Sequence, residues 1–266
     1  MAVSATGKTE VAELVLPRGI IFGDVAQPKQ TIYEQDVNPQ YLVGDTRLKY
    51  ADGREFVYAR AGATALVKSL MCHGSIHRTE TFEEDQTGNY PVVGDTTITV
   101  EIGTGLTLVE LTNELAGGTL LINKGLGIGD MYHILGSKVG STDTNLSLVI
   151  DSPIRTTLDT TTEITIYSSP WMNTLVATEP AAAMAVGVPL IAVTANYYYW
   201  SQIKGPCPII VDATETIVIG DLVGAPATQG TAGQVGIWVT LTKAWGICML
   251  ANTTSAEPAM IWLTLG

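Results

Sequence analysis

Charge is what this chain has least of. Of its 266 residues only 15% are Asp, Glu, Lys or Arg, and Lys and Arg together number 14. With 26 acidic side chains the formal net charge is −12. A broad acidic surface repels phosphate, so no nucleic-acid partner is expected. Cysteine is scarce as well. Cys72, Cys207 and Cys248 form an odd, widely spaced set, which gives no disulfide framework. They read as three reduced, small apolar side chains. Long hydrophobic runs are missing too. The longest, residues 181–195, is broken by Gly187 and Pro189 and is too short to span a bilayer, so no membrane partner is expected. The first thirty residues lack a charged segment followed by an apolar core, so no signal peptide is expected.

What the chain has instead is apolar content and turn formers. The hydrophobic fraction is 46% and glycine numbers 27, with Thr, Val and Ile plentiful. That is a strand-and-turn composition. The expected fold is all-β and mainly antiparallel, with sandwich- or barrel-like domains, an extended N-terminal arm and few short helices. Residues 1–40 read as the arm, 41–175 as a β-rich domain and 176–266 as a second β-rich domain. The arm is polar and small at its start. It continues through apolar residues that include Ile20, Ile21 and Phe22, then through Tyr33 between Pro28 and Pro39. It reads either as a tail lying on another surface or as an edge strand of its own domain.

Local patterns sharpen this picture. Asp52-Gly53 separates the runs RLKY and EFVY, and Gly there supplies the positive φ of a tight hairpin turn. Ile98, Val100 and Ile102 alternate with Thr97, Thr99 and Glu101, giving one buried and one exposed face. Short strands are expected at 120–122, 131–135, 146–150, 163–167, 236–241 and 261–265, with Trp238 and Trp262 buried. Residues 62–70 and the Pro-initiated, Ala-rich 180–187 are the candidates for short helices. Three Val/Ile-Gly-Asp triplets, at 43–45, 93–95 and 219–221, mark turns beside strands.

Candidate chemistry is thin. The run Gly125-Leu126-Gly127-Ile128-Gly129-Asp130 resembles a phosphate loop by composition. A strand-like segment follows it, so it reads as a β-turn and not a helix N-terminus. Cys72, His73 and His77 lie close together, but a structural zinc site needs four ligands. The acidic Glu80, Glu83, Glu84 and Asp85 lack the oxygen spacing of a calcium loop. No Gly-x-Ser-x-Gly elbow exists. Paired carboxylates for glycoside hydrolysis converge only in a fold and cannot be picked from 26 acids. No catalytic residue, metal or cofactor is expected.

Residues 200–224 stand out as a piece of β-structure with prolines on both sides of Cys207. Pro206 and Pro208 lack the N–H a ladder needs, which predicts an edge or corner. Just before it, Tyr197, Tyr198, Tyr199 and Trp200 alternate faces. Tyr and Trp anchor protein interfaces and equally fill sandwich cores; both readings stay open at this point.

Several phrases together resemble head structural proteins of tailed bacteriophages, most closely the capsid decoration (cement) proteins. They are YLVGDTRLKYADGREFVY at 41–58, Ala116-Gly117-Gly118 followed by Tyr132, IRTTLDT at 154–160, residues 199–221, and IGDLV with the later Trp245-Gly246-Ile247. The resemblance covers most of 41–266 and rests on patterned, non-catalytic motifs. It implies a β-rich virion protein, made in the bacterial cytoplasm, that binds the outside of the capsid. Its partner would be the major capsid protein, and it would self-associate, with a trimer favoured. The interface residues expected on this reading are Tyr197, Tyr198, Tyr199, Trp200, Ile20, Ile21, Phe22 and Tyr33. A tail-tube or other virion component, and a β-sandwich carbohydrate-binding or glycan-hydrolysing protein, are the alternatives.

Overall fold

A computed structural model describes residues 11–16, 20–22, 29–74, 80–82, 90–101, 113–139, 145–177, 184–226, 232–238, 244–251 and 257–265; for 11–16, 20–22, 80–82, 101, 139 and 145 it describes the backbone alone. In chain order the first strands are β1 (Val11–Leu16), β2 (Ile20–Phe22), β3 (Arg47–Tyr50), β4 (Glu55–Arg60) and β5 (Cys72–His73). Then come β6 (Glu80–Phe82), β7 (Thr97–Glu101), β8 (Thr119–Lys124), β9 (Met131–Val139), β10 (Asn145–Ile150) and β11 (Glu163–Tyr167). The last are β12 (Leu175–Val176), β13 (Ala185–Pro189), β14 (Tyr198–Ile210), β15 (Leu222–Gly224), β16 (Gly236–Ile237), β17 (Ala244–Leu250) and β18 (Pro258–Thr264). Every ladder between them is antiparallel. The chain is all-β, as its composition predicts.

The strands fall into two compact units. One comprises Met1–Ser75 together with Asn173–Gly266; the other is Ile76–Met172. This partition differs from the expected 41–175 and 176–266. The reason is the pairing of β4 with β14, which joins residues from both sides of the expected boundary in one sheet. Residues 11–16 are likewise a strand of the first unit, because β1 pairs with β3 and β2. This part of the arm is ordered in the chain's own sheet, whose edge is β2.

In the first unit the sheet order is β16-β15-β17-β18-β14-β4-β3-β1-β2. The β3–β4 hairpin turns at Asp52-Gly53, where Gly53 has φ 87°. β14 is the long strand of this sheet, and the half that carries its prolines is paired on one side only, the edge setting they predict. Its first half pairs with β4 as far as Lys204, and its second half pairs with β18 from Lys204 to Ile210. Pro206 and Pro208 therefore lie past the end of the β4 ladder, where a missing N–H breaks no bond. There the buried Gln202 side chain donates from Nε2 to the carbonyls of Lys204 (3.0 Å) and Pro206 (2.9 Å), satisfying acceptors that β4 no longer reaches. Gly205, at φ 80°, makes the kink between the halves.

In the second unit the order is β6-β11-β8-β9-β10-β7. Ile98 and Val100 are buried and Thr97 and Thr99 exposed, as alternation predicts. They join Leu120, Ile122, Tyr132, Ile134, Leu146 and Leu148 in one core. The glycine run 125–130 is the β8–β9 turn. Gly125, Gly127 and Gly129 all have positive φ, and a Cβ at Gly125 would collide with the backbone of Thr161.

The three Gly-Asp triplets are turns with left-handed glycines. Two share one hydrogen-bond pattern. Asp95 N–H donates to Val92 O while the Asp95 carboxylate accepts from Val92 N–H; Asp221 and Val218 repeat this. Gly94 and Gly220 each donate to a neighbouring segment, at Ile154 and Cys248.

No helix occurs among the described residues. Residues 62–70 run as turns and bridges, and Ala185, Val186 and Gly187 of the Ala-rich stretch are strand β13. Trp238 is half-buried, not buried. Trp262 points outward, because Ile261 and Leu263 on either side of it take the inward positions of β18.

Candidate interaction surfaces

The aromatic cluster is a ladder across β4 and β14. Register places Tyr198 opposite Arg60 and Trp200 opposite Tyr58. Tyr58 stacks on Tyr198 with centroids 6.0 Å apart, meets Trp200 edge-on at 5.0 Å, and meets Tyr41 edge-on at 5.2 Å. Residues 29–41 close over this ladder. Gln30, itself buried, is the plug. Its Oε1 accepts from Tyr58 Oη (2.7 Å), its Nε2 donates to the carbonyls of Glu34 and Tyr198 (both 2.9 Å), and its own carbonyl accepts from Trp200 Nε1 (2.9 Å). Every polar group of the ladder that Gln30 reaches is thereby paired.

This arrangement corrects part of the expected interface. Trp200 and Tyr199 are buried inside their own unit and offer no face to a partner. Trp200 lies under Gln30, and Tyr199, on the opposite side of β14, hydrogen-bonds Thr174 Oγ1 at 3.0 Å. Tyr197 and Tyr198 are half-buried. Tyr33 is 63% exposed. The side chains of Ile20, Ile21 and Phe22 lie outside the described residues.

A different surface has the composition of an interface. Cross-strand register on the outer face of the first unit's sheet aligns Leu222, Ile247, Trp262 and Pro206 over β15, β17, β18 and β14. A second row aligns Leu250, Met260 and Pro208. Leu222, Ile247, Met249 and Leu250 are exposed, and Trp262 is 36% exposed. No charged side chain interrupts these rows. Interface centres are depleted of charge and enriched in Trp, Met and Tyr.

One margin of this face is polar and aromatic. The indole edge of Trp262 lies against the hairpin turn, 3.3 Å from where a Cβ on Gly53 would sit. Beside Gly53, Arg54 Nε donates to Asp52 Oδ2 at 2.7 Å. The Arg54 guanidinium also lies 4.9 Å from the Tyr50 ring centroid. Tyr, Trp and Arg are the residues in which interface binding energy concentrates. The sequence showed no sign of this site, because β18 (PAMIWLT) is apolar at successive positions and its parity is invisible without the register.

The remaining candidates are quiet. Among the described residues no three His, Cys, Asp or Glu side chains gather as metal ligands. His73 is buried with Nδ1 2.5 Å from Gly74 O; His77 and Glu83 to Asp85 lie outside the described residues. All three cysteines are free and buried. Burial pushes the Cys72 thiol up to about 12 and the Cys207 thiol well above its ordinary range, which removes the thiolate a nucleophile needs. No described helix is long and apolar enough to cross a membrane.

Comparison with protein-family models, curated proteins and solved structures returned no match.

Proposed function

We propose that this chain is a structural protein of a tailed-phage virion, docked on the outside of the capsid and stabilising the lattice of the major capsid protein. The observation that carries the reading is the uncharged apolar face around Ile247 and Trp262 in a chain of net charge −12. On such a chain, an uncharged face is where a protein partner is met without desolvating ions. The resemblance of residues 41–266 to decoration proteins supplies the partner, the self-association as a trimer and the setting, a capsid surface reached after synthesis in the host cytoplasm. The work is done by binding energy, with roughly 800 Å² buried per partner multiplied over many copies; no catalytic step, metal or cofactor enters.

Negative-stain microscopy of the purified protein with empty shells tests this. Regular added density on shells supports the reading; a protein that leaves shells bare at high excess removes it. One observation favours a second reading, a carbohydrate-binding protein. Beside the exposed Trp262, the Arg54–Asp52 pair lies over the Tyr50 ring, which sets a planar polar fork next to aromatic rings. Glycan-array binding lost on Trp262→Ala would support that reading instead.

A further inference from the structure

Arg60 ends the aromatic ladder and is only 7% exposed. Its Nη1 donates to Asn173 Oδ1 at 2.5 Å, its Nη2 to Asn196 Oδ1 at 3.2 Å, and its Cζ lies 5.9 Å from the Tyr198 ring centroid. Every one of these partners is neutral. Ion pairs in the described structure join Arg54, Lys124, Arg155 and Lys204 to carboxylates, but not Arg60. Asp36, which bridges to Tyr198 on the adjoining segment, accepts instead from Asn38 N–H and Gln40 Nε2. Removing a guanidinium from water without a counter-charge costs several kcal/mol in general. Here that cost falls in a chain whose acidic residues outnumber its basic ones by 26 to 14.

The two amides are themselves held in unusual backbone. Asn173 has φ 59° and Asn196 φ 66°, a conformation in which an Asn side chain turns back over its own loop. Asn196 is exposed and Asn173 and Tyr198 half-buried, so the residues around the guanidinium themselves reach solvent. Two of its five N–H groups are used. The planar fork that remains has the geometry that receives a carboxylate through paired charge-assisted bonds.

We propose that Arg60, with Asn173 and Asn196 as its rim, is a binding site for a carboxylate. The group comes either from a free small carboxylate or from an acidic side chain of a second copy of this chain. Occupancy neutralises the buried cation and ties together the two Asn turns, at 173 and 196, that the rim is made from. This site is independent of the apolar face around Trp262.

The test is thermal unfolding of the full chain in sodium acetate and in sodium chloride at equal ionic strength, over a range of protein concentrations. The expected result is a Tm about 3 °C higher in acetate, at about ten times its dissociation constant. That gain is lost in Arg60→Lys, which keeps the charge but not the fork. If a second copy supplies the group, Tm in chloride instead rises with protein concentration, again in wild type only. Asn196→Asp provides a carboxylate in place and should raise Tm in chloride while abolishing both dependences. Because that variant gains stability, misfolding cannot mimic it. Equal Tm in acetate and chloride with no concentration dependence, together with no gain from Asn196→Asp, overturns the proposal.

Discussion

Gln30 ties together strands and loop of the first unit. It bonds Tyr58, Glu34, Tyr198 and Trp200 from one buried position. Gln30→Ala keeps the backbone carbonyl that Trp200 uses but strips the side-chain partners, leaving buried polar groups short. A loss of about 2 kcal/mol is expected in urea denaturation; an unchanged midpoint would show the plug to be dispensable. Cys72 contributes in another way. Burial raises its thiol from 9.0 to about 12, against a smaller lowering by its hydrogen bond with Tyr199. The unfolded chain then gives up this proton at lower pH than the folded chain. The contribution is fully present below about pH 9 and is lost as pH rises toward about 12, with a slope of about 1.4 kcal/mol per pH unit for the one proton. Burial raises Tyr58 and Tyr199 as well, so they act in the same sense at still higher pH. Stability measured at pH 8, 9.5 and 10.5 should fall, and Cys72→Ala should flatten the fall. A flat wild-type profile contradicts the buried thiol.

Among the elements, the segment 29–41 and strand β18 decide most. Residues 29–41 are the lid of the aromatic ladder, so the arm ends well before residue 40. Deleting 1–28 should leave cooperative unfolding intact, whereas deleting 1–40 removes Gln30 and exposes Tyr58 and Trp200. The second deletion should redden tryptophan emission and lower Tm well beyond the first; matching Tm values for the two would refute the lid. β18 was legible as a strand but not in its parity. PAMIWLT offers apolar side chains to both faces, so only the register with β14 and β17 shows that Ile261 and Leu263 point in and Trp262 out. The Asp52-Gly53 hairpin, the 125–130 turn and the buried Ile98 and Val100 were legible, because each rests on local chemistry. The one-sided setting of Pro206 and Pro208 was legible too. The central place of β14 between β4 and β18 was not, nor was Gln202 bonding two carbonyls where β4 stops; both are long-range facts of the fold.

Taken as a molecule, the chain carries one unit inside the sequence of the other. The boundary at 172/173 falls beside the expected break at 175/176, but nothing in the sequence marks residue 75, and the β4–β14 pairing that unites the flanking segments spans well over a hundred positions of sequence. The candidate surface follows from the neighbouring ladders, since Leu222, Ile247, Trp262 and Pro206 align only when the strands stack in the order β15-β17-β18-β14. Substituting both Ile247 and Trp262 by Thr places β-branched residues that suit strands at both positions while removing most of the apolar protrusion. The change in stability should stay near 1 kcal/mol, the behaviour of surface positions, against about 3–5 kcal/mol for Trp200→Ala in the core.

The most direct measurement is co-sedimentation of this chain with empty capsid shells, comparing wild type with the Ile247→Thr/Trp262→Thr variant at matched folded concentration. The account predicts saturable wild-type binding at a fixed ratio to the major capsid protein, and a loss of at least tenfold in affinity for the variant with its Tm nearly unchanged. Wild-type protein that stays in the supernatant, or a variant that binds as tightly as wild type, contradicts it.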